Sequence, residues 1–181
     1  MNLNDILGIF GSIVLVIGVT LPDRDQAIAP LKLPKNWLFV IGSALMLLYA
    51  LLNYFHGGAI FFVMLELLVV LACILMMTHL GDAYKSVWIV AIGCCLVIWS
   101  LYLFEKIEIL IFILGLIGVS LGYAFKHATA RRDVAFIAGS LLIALFSFFE
   151  KNWIFFALNL LFAFFSALNL AKRRTISRQI N

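Results

Sequence analysis

Three apolar segments of this chain recur in a second copy, and both copies follow the same order. The matches are ILGIFG at 6–11 with ILGLIG at 113–118, FVIGSALMLL at 39–48 with FIAGSLLIAL at 136–145, and, more loosely, IFFVMLELL at 60–68 with WIFFALNLL at 153–161. Each segment has the composition of a membrane-embedded helix rather than that of a soluble one. The sequence therefore predicts a membrane protein built from two copies of a three-helix unit.

The composition supports the same interpretation. Hydrophobic residues make up 65% of the 181 residues and charged residues only 12%, which lies outside the usual balance of a soluble domain. A membrane-spanning helix needs ~20 predominantly apolar residues, and backbone groups in lipid must bond within their own helix. The sequence predicts an all-α integral membrane protein with seven transmembrane helices, at 6–21, 37–55, 59–78, 86–104, 107–125, 134–149 and 152–171.

The matching segments divide these helices into groups of three, one and three. The first repeat covers 6–79, a linker helix covers 86–104, the second repeat covers 107–171, and a basic tail covers 172–181. A single linker helix restores the orientation that three spans invert, so the two repeats are predicted to be parallel. Repeats of this kind are typical of transporters, with the solute site between them near the middle of the membrane.

The basic residues predict the orientation in the membrane. Of 13 Lys and Arg residues, all but Lys106 and Lys151 lie on the same side as the C-terminus, and positively charged short loops stay in the cytoplasm. We therefore expect the N-terminus outside and the C-terminus in the cytoplasm, with the positive charge directed at membrane lipids rather than at nucleic acid. No basic residue precedes the first apolar segment, so we expect that segment to be retained rather than cleaved as a signal peptide.

Two longer motifs carry a resemblance to a known family. GSIVLVIGVTLPDRD, at 11–25, is a glycine-bearing first helix that runs into an Arg-Asp loop, and FFALNLLFAFFSALNLAKRR, at 155–174, carries spaced asparagines before a basic tail. In these motifs and in its three-one-three order, the chain resembles YgjV-type bacterial inner membrane proteins, in the wider SWEET, PnuC and PQ-loop group of transporters. The resemblance implies a bacterial inner membrane location and transport of a small solute. It also implies that the helices of each triplet pack in the order 1-3-2.

Glu66 and Asn159 are the main candidates for a solute site. They occupy matching positions on the third and seventh helices, and a carboxyl group inside a membrane is costly enough to suggest a function. Transporters of the SWEET type place an asparagine on each of these helices. Asn159 matches that pattern, whereas Glu66 departs from it. The alternative is a structural hydrogen bond. If the site is functional, Glu66 either carries a proton at rest or pairs with a cationic solute.

Other residues on the spans are candidates for the lining of the same cavity. They are polar or aromatic side chains on the second, fourth and sixth helices: Asn53, Tyr49, Trp99 and Ser147. For Trp99, packing in the protein core is the alternative to stacking on a solute. Ser43 and Ser140 could line the cavity as well, but the pairs Gly42-Ser43 and Gly139-Ser140 are predicted to pack helices together, because small residues let membrane helices approach closely.

The sequence contains no pattern that favours catalysis, a metal or a cofactor. His56, His79 and His127 lie at membrane edges, and the three cysteines fall inside spans as small apolar residues. We expect no enzyme activity. Two functions remain open: a transporter of a small polar solute (a sugar, vitamin, nucleoside or amine), or a scaffold or accessory subunit of a membrane complex. A homo-oligomer is compatible with either.

Overall fold

In the computed structural model, the structure describes residues 3–21, 31, 33–126 and 129–180, with side chains as far as Lys172. The Arg-Asp loop that ends the motif at 11–25 therefore lies outside the described residues from residue 22 onward, as does His127. The described part of the chain contains helices and no strands. Its helices are α1 (Leu3–Thr20), α2 (Pro34–Phe55), α3 (Ile60–Met77), α4 (Asp82–Tyr102), α5 (Glu108–Ala124), α6 (Ala130–Phe149) and α7 (Trp153–Ile180).

Six of these helices are long and apolar enough to cross a membrane. The exception is α5, which is equally apolar but has 17 residues. By the length and composition of its helices, the chain is thus an integral membrane protein. The described residues form seven helices, as predicted. Neighbouring helices run in opposite directions where glycine contacts define them. Gly8 meets Tyr49 and Gly18 meets Leu38 between α1 and α2, and Gly115 meets Ile143 and Gly122 meets Phe136 between α5 and α6.

Local sequence explains where several helices begin. Pro34 occupies the first turn of α2, where its missing N–H costs no hydrogen bond, so that helix begins before the predicted residue 37. Thr129 caps α6, because its side chain accepts a hydrogen bond from the backbone N–H of Arg132 at 3.4 Å. The helix α7 continues beyond the predicted span into the basic tail, as far as Ile180.

The packing order within each triplet differs from the expected order of 1-3-2. Helix α2 packs against both α1 and α3, and α6 packs against both α5 and α7. Among the described residues, α1 does not approach α3, and α5 does not approach α7. The order is therefore 1-2-3 in both triplets. The glycines described next allow the middle helix of each triplet, α2 or α6, to pack closely against its neighbours.

Glycines on the middle helices meet their neighbours with no room for a side chain. A Cβ atom on Gly139 of α6 would lie 2.6 Å from the backbone nitrogen of Val119 on α5. One on Gly42 of α2 would lie 2.7 Å from Cγ of Leu15 on α1. Such contacts let two helix backbones approach closely, which is a principal source of helix association inside a membrane.

The remaining contacts join the two triplets. Helix α3 contacts α5, and α7 contacts α1, while α4 packs against α3 and α5 at one edge of the bundle. We call the end of the bundle that holds Lys35, Lys85, Lys126 and Arg132 the basic end. The opposite end, which we call the acidic end, holds Asp5, Glu105, Glu108 and Glu150.

The glycine contacts give a direct test of this packing. Gly139→Ala should destabilise the protein by about 1–3 kcal/mol, because the added methyl group forces the backbones of α5 and α6 apart. Gly81→Ala is the matched control, since its Cβ would meet only the Tyr84 ring at 3.9 Å. Thermal unfolding in detergent measures both. Equal unfolding temperatures for the two variants would contradict the packing described here.

Candidate functional site

A layer of buried aromatic rings crosses the interior of the bundle near its acidic end. The rings of Phe62 on α3 and Phe155 on α7 are stacked, with centroids 4.5 Å apart and planes inclined by 12°. Phe146 of α6 contacts Phe62 at 5.5 Å between centroids, and Tyr49 of α2 contacts Phe155 at 5.7 Å. All four rings are buried. The layer therefore closes the space between the two triplets on the side of the acidic end.

Glu66 and Asn159 lie one helical turn beyond the stacked rings, toward the basic end. Each follows its phenylalanine by four residues, which places it on the same helix face. The two side chains line one cavity of about 30 Å³, enough for about two water molecules at roughly 10–15 Å³ each. The structure thus brings together the two residues that the sequence singled out. Tyr123 and Ser140 add the other polar groups of this central cavity.

The carboxyl group of Glu66 is buried and incompletely bonded. Its side chain is 3% exposed, and Oε2 has no hydrogen-bond partner. No Lys, Arg or His is among the residues that line the central cavity. Asn159, by contrast, donates from Nδ2 to the backbone oxygen of Phe155 at 2.9 Å. An unpaired polar atom in such a site carries a large desolvation cost, which marks Glu66 as a candidate functional group.

A second cavity, of about 60 Å³, lies between the central cavity and the basic end. Tyr123, Phe136 and Phe162 line both cavities, so the two are neighbours with a common wall. Lys35, Arg132 and the buried Asp133 supply the charged groups of this basic-end cavity. The ammonium of Lys35 lies 5.9 Å from the ring centre of Phe39, and the guanidinium of Arg132 lies 5.4 Å from that of Phe136. Both distances fit cation–π contacts.

A third and larger cavity, of about 600 Å³, opens at the acidic end. Tyr49 and Asn53 line it together with Asn152 and Phe62. The hydroxyl of Tyr49 donates to Oδ1 of Asn152 at 3.0 Å, and the same oxygen accepts the backbone N–H of Phe155 at 3.2 Å. Cavities of roughly 300–1,000 Å³ are typical of small-molecule sites, so this one has the size of a solute entrance.

The other predicted residues lie elsewhere. Ser147 is buried and donates to the backbone oxygen of Ile143 on its own helix at 2.7 Å, and it lines none of the three cavities. Trp99 is 50% exposed on α4 and also lines none of them. Neither the solute-stacking nor the core-packing interpretation of Trp99 fits this position. A face turned away from the bundle is available to lipid, where an indole is readily accommodated.

The four residues predicted to pack helices do not all have that role in the structure. Gly42 and Gly139 make the close contacts described above, and Ser43 donates to the backbone oxygen of Val40 at 3.2 Å. Ser140 instead lines the central cavity beside Glu66. Its hydroxyl therefore belongs to the candidate site as well as to the α5–α6 contact.

Sequence reasoning missed several residues of the site. Tyr123 lies near the end of α5, and Asp133 was placed outside the sixth span, although α6 begins at Ala130 and buries it. One signal was available for Asp133. The segment Lys35-Asn36 precedes the first FVIGS motif as Arg132-Asp133 precedes FIAGS, at the same distance. No comparable signal marked Tyr123.

Several contacts have a counterpart between residues of the matching sequence segments. Tyr49 of α2 contacts Phe155 of α7, and Phe146 of α6 contacts Phe62 of α3, so in both pairs the second helix of one triplet meets the third helix of the other. Within the second helix of each triplet, the contact of Lys35 with Phe39 has its counterpart in that of Arg132 with Phe136. The glycines of the first helices also have similar neighbours, since Gly11 meets Met46 and Gly115 meets Ile143. In these contacts Gly11 takes the place that Gly115 takes in the other triplet, whereas the sequence motifs align it with Gly118.

Compared with known proteins, the chain matches no family model, no curated protein and no solved structure. Among the described residues, no group of three His, Cys, Asp or Glu side chains is placed to hold a metal ion.

The hydrogen bond at the acidic end leads to a stability prediction. Tyr49→Phe removes the donor to Asn152 and should lower the free energy of unfolding by about 1 kcal/mol. Tyr54→Phe makes the same chemical change at an exposed position of α2 and should leave stability unchanged. Thermal unfolding in detergent compares the two variants. An unaltered midpoint for Tyr49→Phe would show that this bond does not hold α2 to α7.

Proposed function

We propose that the protein transports a small polar solute by alternating access between the triplets α1–α3 and α5–α7. The observation that carries the proposal is the central cavity, where Glu66 and Asn159 meet from opposite triplets. A buried carboxyl group with an unpaired oxygen is costly to keep. A transport cycle in which that group binds a solute or an ion gives a reason for the cost.

We further propose that the two triplets are parallel repeats related by an axis along the membrane normal. The recurring aromatic and cation–π contacts support this arrangement. The central cavity supports it as well, because it is lined by matching residues of both halves: Leu15 with Val119, Leu65 with Leu158, and Glu66 with Asn159. A cavity shared in this way widens or narrows when one triplet rocks against the other.

The arrangement of the cavities suggests how the cycle proceeds. In this conformation the stacked rings of Phe62 and Phe155 separate the acidic-end cavity from the central one. At about 30 Å³, the central cavity is too small for a sugar or nucleoside. We propose that the solute enters the acidic-end cavity beside Tyr49 and Asn53, and that parting of the two rings admits it to Glu66 and Asn159. The conformation described here is then a closed one.

The chemistry of the site limits the solute to a class. Asn159 offers an amide and Glu66 a carboxyl group, and both suit hydroxyl, amide or amine groups. Sugars, vitamins, nucleosides and amines all carry such groups. We also propose, from the resemblance to YgjV-type proteins and to the SWEET, PnuC and PQ-loop group, that the protein lies in a bacterial inner membrane. The triplet order of 1-2-3 departs from that group.

Uptake by reconstituted vesicles tests the proposal with two variants. Asn159→Ala should weaken solute binding by about 1–3 kcal/mol, since it removes a desolvated hydrogen-bonding group. Glu66→Gln keeps the shape of the side chain but cannot ionise, so it should abolish any pH dependence of uptake. A thermal-shift screen against sugars, vitamins, nucleosides and amines identifies the solute to use.

Glu105→Gln is the matched control for Glu66→Gln. Glu105 is exposed and lies outside all three of the cavities above, so its variant should transport like the parent. If the Glu66 and Asn159 variants also bind and transport like the parent, the site assignment fails. The alternative of a scaffold or accessory subunit would then be favoured.

Orientation is tested separately with reporter fusions. We propose that the basic end faces the cytoplasm, so a reporter after Asn181 should be active only if it works in the cytoplasm. A reporter inserted at Gly57, in the exposed turn between α2 and α3, should be active only on the outer face. Activity of both fusions on the same side would rule out the proposed topology.

A further inference from the structure

We propose that Glu66 carries a proton and exchanges it with the basic end of the bundle through the hydroxyl of Tyr123. Only one part of this inference rests on the proposed function, namely the link between that proton and the movement of a solute. The exchange itself follows from three features of the site: the surroundings of Glu66, the position of Tyr123 between two cavities, and the absence of a polar route through the aromatic layer.

The surroundings of Glu66 favour a proton over a larger cation. The central cavity is lined mostly by Leu, Val and Phe side chains, and its polar members besides Glu66 are Tyr123, Ser140 and Asn159. Such a lining stabilises an ion poorly, whereas a neutral carboxylic acid needs only one or two hydrogen bonds. A volume of about 30 Å³ also leaves no room for an organic amine beside the carboxyl group.

Tyr123 is the only polar residue among the three that line both the central and the basic-end cavities. Its ring is held against Phe136 in an edge-to-face contact, with centroids 4.9 Å apart. A phenol both donates and accepts a hydrogen bond. It can therefore accept a proton from water in the basic-end cavity while it donates its own proton to Glu66. The hydroxyl is restored and the carboxylate becomes a carboxylic acid.

The charged and titratable groups around this route lie on its basic side. Cys73 of α3 is close to Tyr123 and Glu66. The basic-end cavity adds Lys35 from α2, together with Arg132 and Asp133 from α6. Helices α1 and α7 contribute no titratable side chain to either cavity.

In the other direction, the described residues offer no equivalent of Tyr123. The rings of Phe62, Phe155 and Phe146 separate Glu66 from the acidic-end cavity. The hydroxyl of Tyr49, which lines the acidic-end cavity, donates to Asn152. Proton exchange in this conformation is therefore one-sided, and access from the acidic end requires the stacked rings to part.

Carbodiimide labelling tests the exchange without any solute. Dicyclohexylcarbodiimide enters membranes and reacts with protonated carboxyl groups, adding a stable mass that peptide mass spectrometry assigns to a residue. In the purified protein, labelling of Glu66 should fall as the pH is raised, and Glu66→Gln should remove the label from that peptide. Labelling of Glu66 that does not change with pH, or no labelling at all, would overturn the proposal.

Sealed vesicles then test the direction and the role of Tyr123. With the orientation set by protease access to the C-terminal segment, raising the pH at the basic end alone should reduce Glu66 labelling, and raising it at the acidic end alone should not. Tyr123→Phe keeps the ring and removes the hydroxyl, and should slow the basic-end response several-fold. Tyr54→Phe, a matched change at an exposed site, should respond like the parent.

The results separate this inference from the proposed function. An equal response from both sides in the parent, or a Tyr123→Phe response as fast as the parent's, would overturn the route. The comparison of sides needs no variant, so it decides the question even if Tyr123→Phe fails to fold. If Glu66 labelling responds to pH at the basic end alone, in a protein that takes up no solute, the result would support proton exchange and count against transport.

Discussion

The burial of one carboxyl group inside an apolar bundle is the constraint around which this structure is arranged. Glu66 is 3% exposed and has an oxygen without a partner, and no cation lines its cavity. Placing such a group in hydrocarbon costs several kcal/mol unless it is neutral or bonded. The rest of the bundle must therefore be stable enough to bear that cost, and it must keep lipid and bulk water away from the group.

Two kinds of packing supply that stability. Glycine contacts hold α2 against α1 and α6 against α5 at backbone distance, and the aromatic layer joins the triplets through rings that pair across the interface. The glycine contacts lie within a triplet, whereas the rings lie between triplets. A motion of one triplet against the other would thus break ring contacts and leave the glycine contacts intact. The same division explains why α2 and α6, rather than α3 and α7, are the middle helices.

Much of the fold was predictable from sequence because it depends on local composition. Apolar segments long enough to span a membrane gave seven helices, and the meeting of Glu66 and Asn159 followed from their matching positions in the repeat. What sequence did not supply was rotation about each helix and packing order. Trp99 faces outward and Ser147 bonds to its own helix, and neither fact is visible in a hydropathy pattern. The 1-3-2 order came from a resemblance, and glycine positions on α2 and α6 overrule it. Tyr123 enters the site only through the close approach of α5 to α3.

Some matching positions of the proposed repeats carry the same residue, and others do not. Gly42 and Gly139 are alike, as are Phe62 and Phe155. The two positions that carry the proposed proton route differ, since Glu66 stands opposite Asn159 and Val19 opposite Tyr123. A symmetric pair of buried acids would repel one another if both were charged, and a single acid facing an amide avoids this. In the proposed route, one hydroxyl in the other half is then sufficient to connect that acid to one end of the bundle. The asymmetry of these positions is thus expected of a site that handles one proton at a time.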